Sequence, residues 1–157
     1  MIKKIISGGQ TGADQAGLDV AIELGIPHGG WIPKGRKTEK GILPAKYKLR
    51  EMNSTSYPKR TEKNVLDSNG TVIFTTGSLT GGSALTRKLA NKHNRPLLHI
   101  NFAKISIEEA AVIVSAWIES HSIEVLNVAG SRASKNHNIY QNTKKVLKQA
   151  ILTLNGN

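Results

Sequence analysis

Three short stretches carry the residue types that could do chemistry: SGGQTG at residues 7–12, TTGSLTGGS at 75–83 and AGSR at 129–132. Glycine lets the backbone approach a ligand and adopt positive φ, and the first N–H groups of a helix are unpaired and partly positive. Phosphate is the natural occupant of such a turn. The candidate cradle is therefore Gly8, Gly9, Gln10, Thr11 and Gly12 in the first turn, and Thr80, Gly81, Gly82 and Ser83 in the second. Gly130, Ser131 and Arg132 complete it in the third. Thr11, Ser83 and Ser131 would add hydroxyl donors and Arg132 a bidentate cation. Neither the G-x-G-x-x-G dinucleotide signature nor a Walker ending is present. Each turn alone fits a plain strand-to-helix connection, so the inference rests on all three meeting.

Further candidates lie beside the turns. Asp14 could face a ribose or an amine, or simply complement the dipole of its helix. Asp19 falls on another face and reads as a solvated or core-edge residue. Arg60, Glu62 and Asn64 form a charged run that could reach a ligand or only decorate an exposed helix. The histidines at 28, 93, 99, 121 and 137 show no ligand spacing, so no protein metal site is expected. The absence of cysteine removes disulfides, thiolate metal sites and cysteine nucleophiles. No Gly-x-Ser-x-Gly elbow marks a serine hydrolase.

These residues need elements to position them. Ile2 to Ile6 reads as a short strand, followed by a helix opened by Thr11 and Asp14, with Leu18, Ala21 and Ile22 on one face and a stop at Gly25-x-Pro27. A short helix is expected over Lys59–Ser68 behind Pro58, then a β-branched strand over Thr71–Thr75. Leu85 and Leu89 indicate the next helix and PLLHI a buried strand. Ser106 and Glu109 form a capping box for a helix whose core stripe is Ala110, Ile113, Val114 and Trp117. IEVLNV is the last strand. The final helix buries Thr143, Val146, Leu147, Ala150, Ile151 and Leu154 and turns Lys144, Lys145 and Lys148 outward. Strands alternating with helices predict an α/β domain spanning 1–157, a Rossmann-like, doubly wound three-layer α/β/α fold with a mainly parallel sheet. Right-handed crossovers bring the strand ends, and so the three turns, to one edge.

The chain of 157 residues carries a formal charge of +11. Between Lys34 and Lys63 stand ten basic residues and three acids, which localises most of that excess. The irregular, basic stretch at about 33–57 reads as a binding loop or lid, with one short strand in HGGWIP. Such a charge favours anionic partners. Aromatic residues are only 4% of the chain, too few to provide much stacking for single-stranded nucleic acid, so a small phosphorylated molecule is the preferred partner. The N-terminal MIKKIISGG lacks an apolar signal core, and a soluble, cytoplasmic protein without a membrane segment is expected.

At SGGQTGADQAGLDVAIELGIPHGGWIPKGR, followed by YPKRTEKNVLDSNGTVIF, GSLTGGSALT and NVAGSR, the sequence resembles the bacterial putative molybdenum carrier family. That family looks like a branch of the Rossmann-like superfamily that includes lysine-decarboxylase-like phosphoribohydrolases, molybdenum cofactor carrier proteins and the DNA-processing protein A. The resemblance implies a nucleotide or molybdenum cofactor (molybdopterin) as ligand over residues 8–12 and 80–83, and a homodimer or larger homo-oligomer. The phosphoribohydrolases carry a Pro-Gly-Gly-x-Gly-Thr-x-x-Glu motif whose glutamate assists glycosidic cleavage. Here TGGSALTRK keeps Gly81 and Gly82 but has no acid before Lys88. Binding without that hydrolysis is the expectation, with Arg132 and Arg60 pairing with phosphate and Asp14 or Asn64 reading the organic part. The alternatives are a nucleotide N-glycosidic hydrolase using Glu62 or Asp14, and a nucleic-acid-binding protein.

Overall fold

The computed structural model describes residues 1–156. Along the chain run β1 (Lys4–Ser7), α1 (Ala13–Leu24), β2 (His28–Gly29), β3 (Trp31–Ile32), β4 (Lys37–Thr38), β5 (Gly41–Ile42) and β6 (Arg50–Glu51). They are followed by α2 (Tyr57–Leu66), β7 (Gly70–Thr75), α3 (Gly81–Lys92), β8 (Leu97–Asn101), α4 (Ile107–Ser120), β9 (Val125–Gly130) and α5 (Ile139–Leu154). Five strands form one parallel sheet in the order β2-β1-β9-β7-β8. With α1, α5 and α4 packed side by side in one layer and α2 beside α3 in the other, this is the expected three-layer Rossmann-like α/β/α fold.

The strand sequences explain the layers. In β7 every residue is buried, as a β-branched strand covered on both faces should be. Val72 and Phe74 join the main core with Leu126, Val128, Val114, Ile118, Leu147 and Ile151, while Thr71, Ile73 and Thr75 alternate toward the α2–α3 layer. Helix α1 lies close on β9 because Gly17 has no side chain: a Cβ there would come within 2.8 Å of the Val128 Cβ.

Several local expectations hold, and others shift. Gly25 closes α1 in the left-handed conformation, φ 70°, with its N–H on the carbonyls of Ala21 and Ile22. The start of α1 differs from the expected threonine cap: Gly12 stands at the N-cap with φ 84° and no side chain caps it. Ile22 is 42% exposed and Ile113 39%, so neither belongs to the buried stripe assigned to it; Ala111 and Ile118 are buried on α4 instead. Strand β8 is the sheet edge and only half-buried rather than a covered strand. Helix α2 begins at Tyr57, because the Ser56 side chain accepts the Lys59 N–H at 3.3 Å, and Gly70 opens β7. Lys144 and Lys148 meet Glu23 of α1 at 2.6 and 3.2 Å. Asp19 sits at the core edge as expected, accepting from the hydroxyls of Tyr47 and Tyr140.

The stretch between α1 and α2 is more organised than an irregular loop. HGGWIP contributes two short strands; β2 joins the sheet and β3 pairs with β6 in parallel. Ile32, Leu43, Tyr47 and Leu49 gather with Leu18 of α1 into a second apolar cluster. Arg36, one of the basic residues in this stretch, donates to the carbonyls of Leu43, Pro44, Tyr47 and Leu49 at 3.1–3.4 Å. Part of the basic charge is therefore scaffold. Among the described residues no helix is long and apolar enough to cross a membrane.

Candidate functional site

A cleft of about 210 Å³ opens where β1, β9 and β7 end, facing α2 and the start of α3. This is the sheet edge at which ligands of doubly wound folds bind. The sequence-predicted turns meet there, though not through every residue. From the first turn Gly8 and Gln10 line the cleft, joined by Asp14 from the first turn of α1. Thr80, Gly81, Gly82 and Ser83 line it from the second, and Gly130, Ser131 and Arg132 from the third. Arg60 and Asn64 reach it from α2.

Gly9, Thr11, Gly12 and Glu62 lie outside this lining. A Cβ on Gly9 would come within 3.0–3.4 Å of Leu49, Leu43 and Ile32, so Gly9 makes room for the second apolar cluster rather than for a ligand. Gly12 lets Ala13 N–H reach the Ser131 carbonyl at 3.1 Å, where any Cβ would collide with the 131–133 backbone. The Thr11 hydroxyl accepts the Ala133 N–H and donates to the Glu39 carboxylate. Glu39 also accepts from the Ser134 N–H at 3.1 Å and the Ser134 hydroxyl at 2.5 Å, while its own N–H donates to Gln10 Oε1 at 2.9 Å. Desolvation would raise the Glu39 pKa, but the bonds from Ser134 and Thr11, with Arg132 nearby, outweigh it and hold the group below the usual glutamate value. The hydroxyl expected to hold phosphate is thus engaged by the protein's own carboxylate. Glu62 pairs with His93 at 2.8 Å and Lys92 at 3.6 Å, and the His93 bond is the main cause of its lowered pKa.

The second turn is differently satisfied. Thr80 makes no side-chain cap; its carbonyl accepts from Ser83 and Ala84. Among the described residues no hydrogen-bond acceptor meets the N–H groups of Gly81 and Gly82. A Cβ at Gly82 would touch nothing within 4 Å, so the space in front of it is open. The Thr86 hydroxyl holds the Gly82 carbonyl at 2.8 Å and orients this turn.

Charges in the cleft are few. Arg60 donates to the Gly8 carbonyl at 2.6 Å and lies over the Tyr57 ring, its centre 5.4 Å away. Burial lowers its pKa, against the pull of Asp14. Asp14 is 8% exposed, and burial pushes its pKa from the ordinary 3.8 up to about 6, against the opposing effects of Arg60, the Gln10 N–H and Arg132. Asn64 lines the cleft, but its amide is committed to β3: Oδ1 accepts the Trp31 N–H at 2.8 Å and Nδ2 donates to the Trp31 carbonyl at 3.1 Å. It is a brace for β3, not a free reader of a ligand.

Tyr57, Thr61, Thr86, Asn127 and Lys135 also line the cleft and were missed in the sequence. Asn127 had a visible signal, a polar residue inside the apolar strand IEVLNV. Lys135 follows Arg132 in an irregular turn whose path no local pattern reveals. Among the described residues, no group of three or more His, Cys, Asp or Glu could hold a metal ion.

The fold has a solved counterpart. The crystal structure of a putative molybdenum carrier protein from Syntrophus aciditrophicus SB matches 96% of this chain and 95% of its own, with 55% identity and a TM-score of 0.94. No curated protein is significantly similar to the chain. The model of the circularly permutated YpsA SLOG family matches residues 5–151, nearly the full length, and the chain belongs to that family.

Proposed function

We infer that the protein binds a small phosphorylated organic molecule, of nucleotide or molybdopterin type, in the cleft at the carboxyl edge of its sheet and holds it without cleaving it. The observation that carries this reading is the start of α3, where Gly81 and Gly82 offer two N–H groups with no acceptor among the described residues, beside open space. Unpaired amides at a helix N-terminus favour an anion. Arg60, Arg132 and Lys135 line the same cleft against the single carboxylate of Asp14, so its net charge suits a phosphate dianion. The hydroxyls of Ser83 and Ser131, both nearly buried, supply further donors. The name of the Syntrophus protein makes a molybdenum-bearing pterin a natural candidate, gripped through its phosphate and heterocycle.

Native mass spectrometry of the purified protein, followed by acid extraction and molybdenum analysis, should find a phosphorylated nucleotide or pterin at near-stoichiometric amount. A protein that arrives empty and also ignores phosphorylated probes in titration would overturn the reading. Gly82→Val places its side chain in the open space before the α3 amides and should lower affinity at least tenfold with little change in unfolding midpoint; unchanged affinity would move the anion site elsewhere.

A further inference from the structure

We propose that Asp14 reads a pair of adjacent N–H donors on the ligand, the amidine-like edge of a 2-amino-4-oxopyrimidine ring, so that the cleft selects a guanine- or pterin-type phosphate over a bare oxyanion. This rests on the phosphate-binding reading of the same cleft and adds what the other end of the ligand must be.

Most of the polar lining offers donors or cations: the Gly81 and Gly82 amides, the Ser83 and Ser131 hydroxyls, Arg60, Arg132 and Lys135. Asp14 is the one acidic side chain in the lining. Its carboxylate is nearly buried, yet no cation lies within 4.0 Å of it to form an ion pair among the described residues. The Gln10 N–H donates to its Oδ2 at 3.2 Å and the Gly8 N–H also favours its charged form, which leaves part of the about four lone-pair sites of an ionised carboxylate open. Arg60, close enough to influence Asp14, turns one nitrogen to the Gly8 carbonyl instead.

Neighbouring amides do not share the reading role. Asn64 is committed to Trp31 through both ends, and the Asn127 amide nitrogen donates to the Thr71 hydroxyl at 3.1 Å. Asp14 is the remaining anionic acceptor. The Asp14 carboxylate keeps acceptor capacity that a ligand supplying donors can fill. Phosphate and molybdate consist almost entirely of acceptor oxygens; a carboxylate repels them. Two parallel N–H donors match the two oxygens of a carboxylate, as in guanidinium–carboxylate pairs. Guanine and pterin share this edge. Adenine places an acceptor nitrogen beside its amino group, so one carboxylate oxygen would face another lone pair.

The test is calorimetric titration of the wild-type chain and Asp14→Asn with guanosine 5′-monophosphate, neopterin monophosphate, adenosine 5′-monophosphate, ribose 5-phosphate and inorganic phosphate. In the wild type the guanosine or neopterin probe should bind at least tenfold tighter than the adenosine probe and ribose 5-phosphate, and which of the two leads identifies the source of the shared edge. Asp14→Asn should erase this preference while tightening inorganic phosphate, because a repelling charge is gone. A carboxylate acting only through its charge or through the fold would move every probe in the same direction, and that result would overturn the proposal. Ribose 5-phosphate binding as well as the guanosine and neopterin probes would overturn it too, leaving the phosphate site intact. Failure of every phosphorylated probe would overturn the phosphate reading and this assignment together.

Discussion

Asp14 stays in the folded chain at a thermodynamic cost that its position in the cleft explains. Burial lifts its pKa from 3.8 to about 6, more than Arg60, the Gln10 N–H and Arg132 bring it down. The native state therefore binds the proton more tightly than the unfolded chain. Stability should fall as the pH rises from about 4 to 6, and the full penalty, about 3 kcal/mol, is present above that window. Asp14→Asn, which can still accept the Gln10 N–H, should stabilise the protein at pH 7.5 by roughly 2–3 kcal/mol in urea unfolding, and the gain should shrink toward zero as the pH drops below 4. An equal gain at both ends of the range would mean that folding does not shift the Asp14 pKa. At this scale the sequence was legible in part. Asp14, Arg60 and Arg132 were recognisable as chemistry-bearing, but a glutamate or threonine reads the same whether it faces a ligand or another part of the chain. Thr11 faces Glu39, and Glu62 faces His93.

The β4–β5 hairpin reaches the site through one side chain. Glu39 at its tip joins the turn before α1, through Thr11 and Gln10, to the turn after β9, through Ser134. Gln10 and Arg132, which line the cleft, lie in the two turns that this carboxylate ties together. Charge-assisted bonds of this kind contribute about 1.5–3 kcal/mol each when fully formed, and less where water competes. Glu39→Gln and Thr11→Val should each free the hairpin, read as faster tryptic cleavage after Lys37 or Lys40, whereas Thr11→Ser keeps the hydroxyl and should behave as wild type. The double variant Glu39→Gln/Thr11→Val should be little more labile than Glu39→Gln alone, since Thr11→Val removes a contact that Glu39→Gln already weakens. Full additivity would show that Glu39 holds the hairpin without Thr11. The helix and strand signals that depend on neighbours three or four residues apart were readable: the Gly25 stop and the Ser106–Glu109 opening. The hairpin was hidden because its ties span 28 and 95 residues.

Across the molecule, a net charge of +11 does not make an even basic surface. Arg36 organises carbonyls, Arg60 is half-buried in the cleft, and Arg50 and Lys63 lie over the Trp31 ring at 5.5 and 4.4 Å. These contacts commit part of the basic run from Lys34 to Lys63 to holding the α1–α2 connection in place. A ligand that binds only the folded cleft adds stability by mass action, about 2.7 kcal/mol at a hundred times its dissociation constant. For a chain of this size that corresponds to a rise in Tm of roughly 5–10 °C. A thermal scan with guanosine 5′-monophosphate at saturation should show such a rise in the wild type and a smaller one in Gly82→Val. Equal rises in both would place the stabilising contact away from α3.

The sequence by itself determined the order of the helices and of the strands of the main sheet, the parallel sheet with its turns at one edge, and the family resemblance, because each depends on short-range periodicity, glycine placement and contiguous motifs. Only the tertiary structure decided which glycine turn remains open. SGGQTG and TGGS look equally fit for phosphate along the chain, yet Glu39 from a distant hairpin engages the hydroxyl of the first, and among the described residues no acceptor meets the Gly81 and Gly82 amides of the second. Hydrogen-bond satisfaction is a property of the whole packed molecule, and local residue type does not encode it.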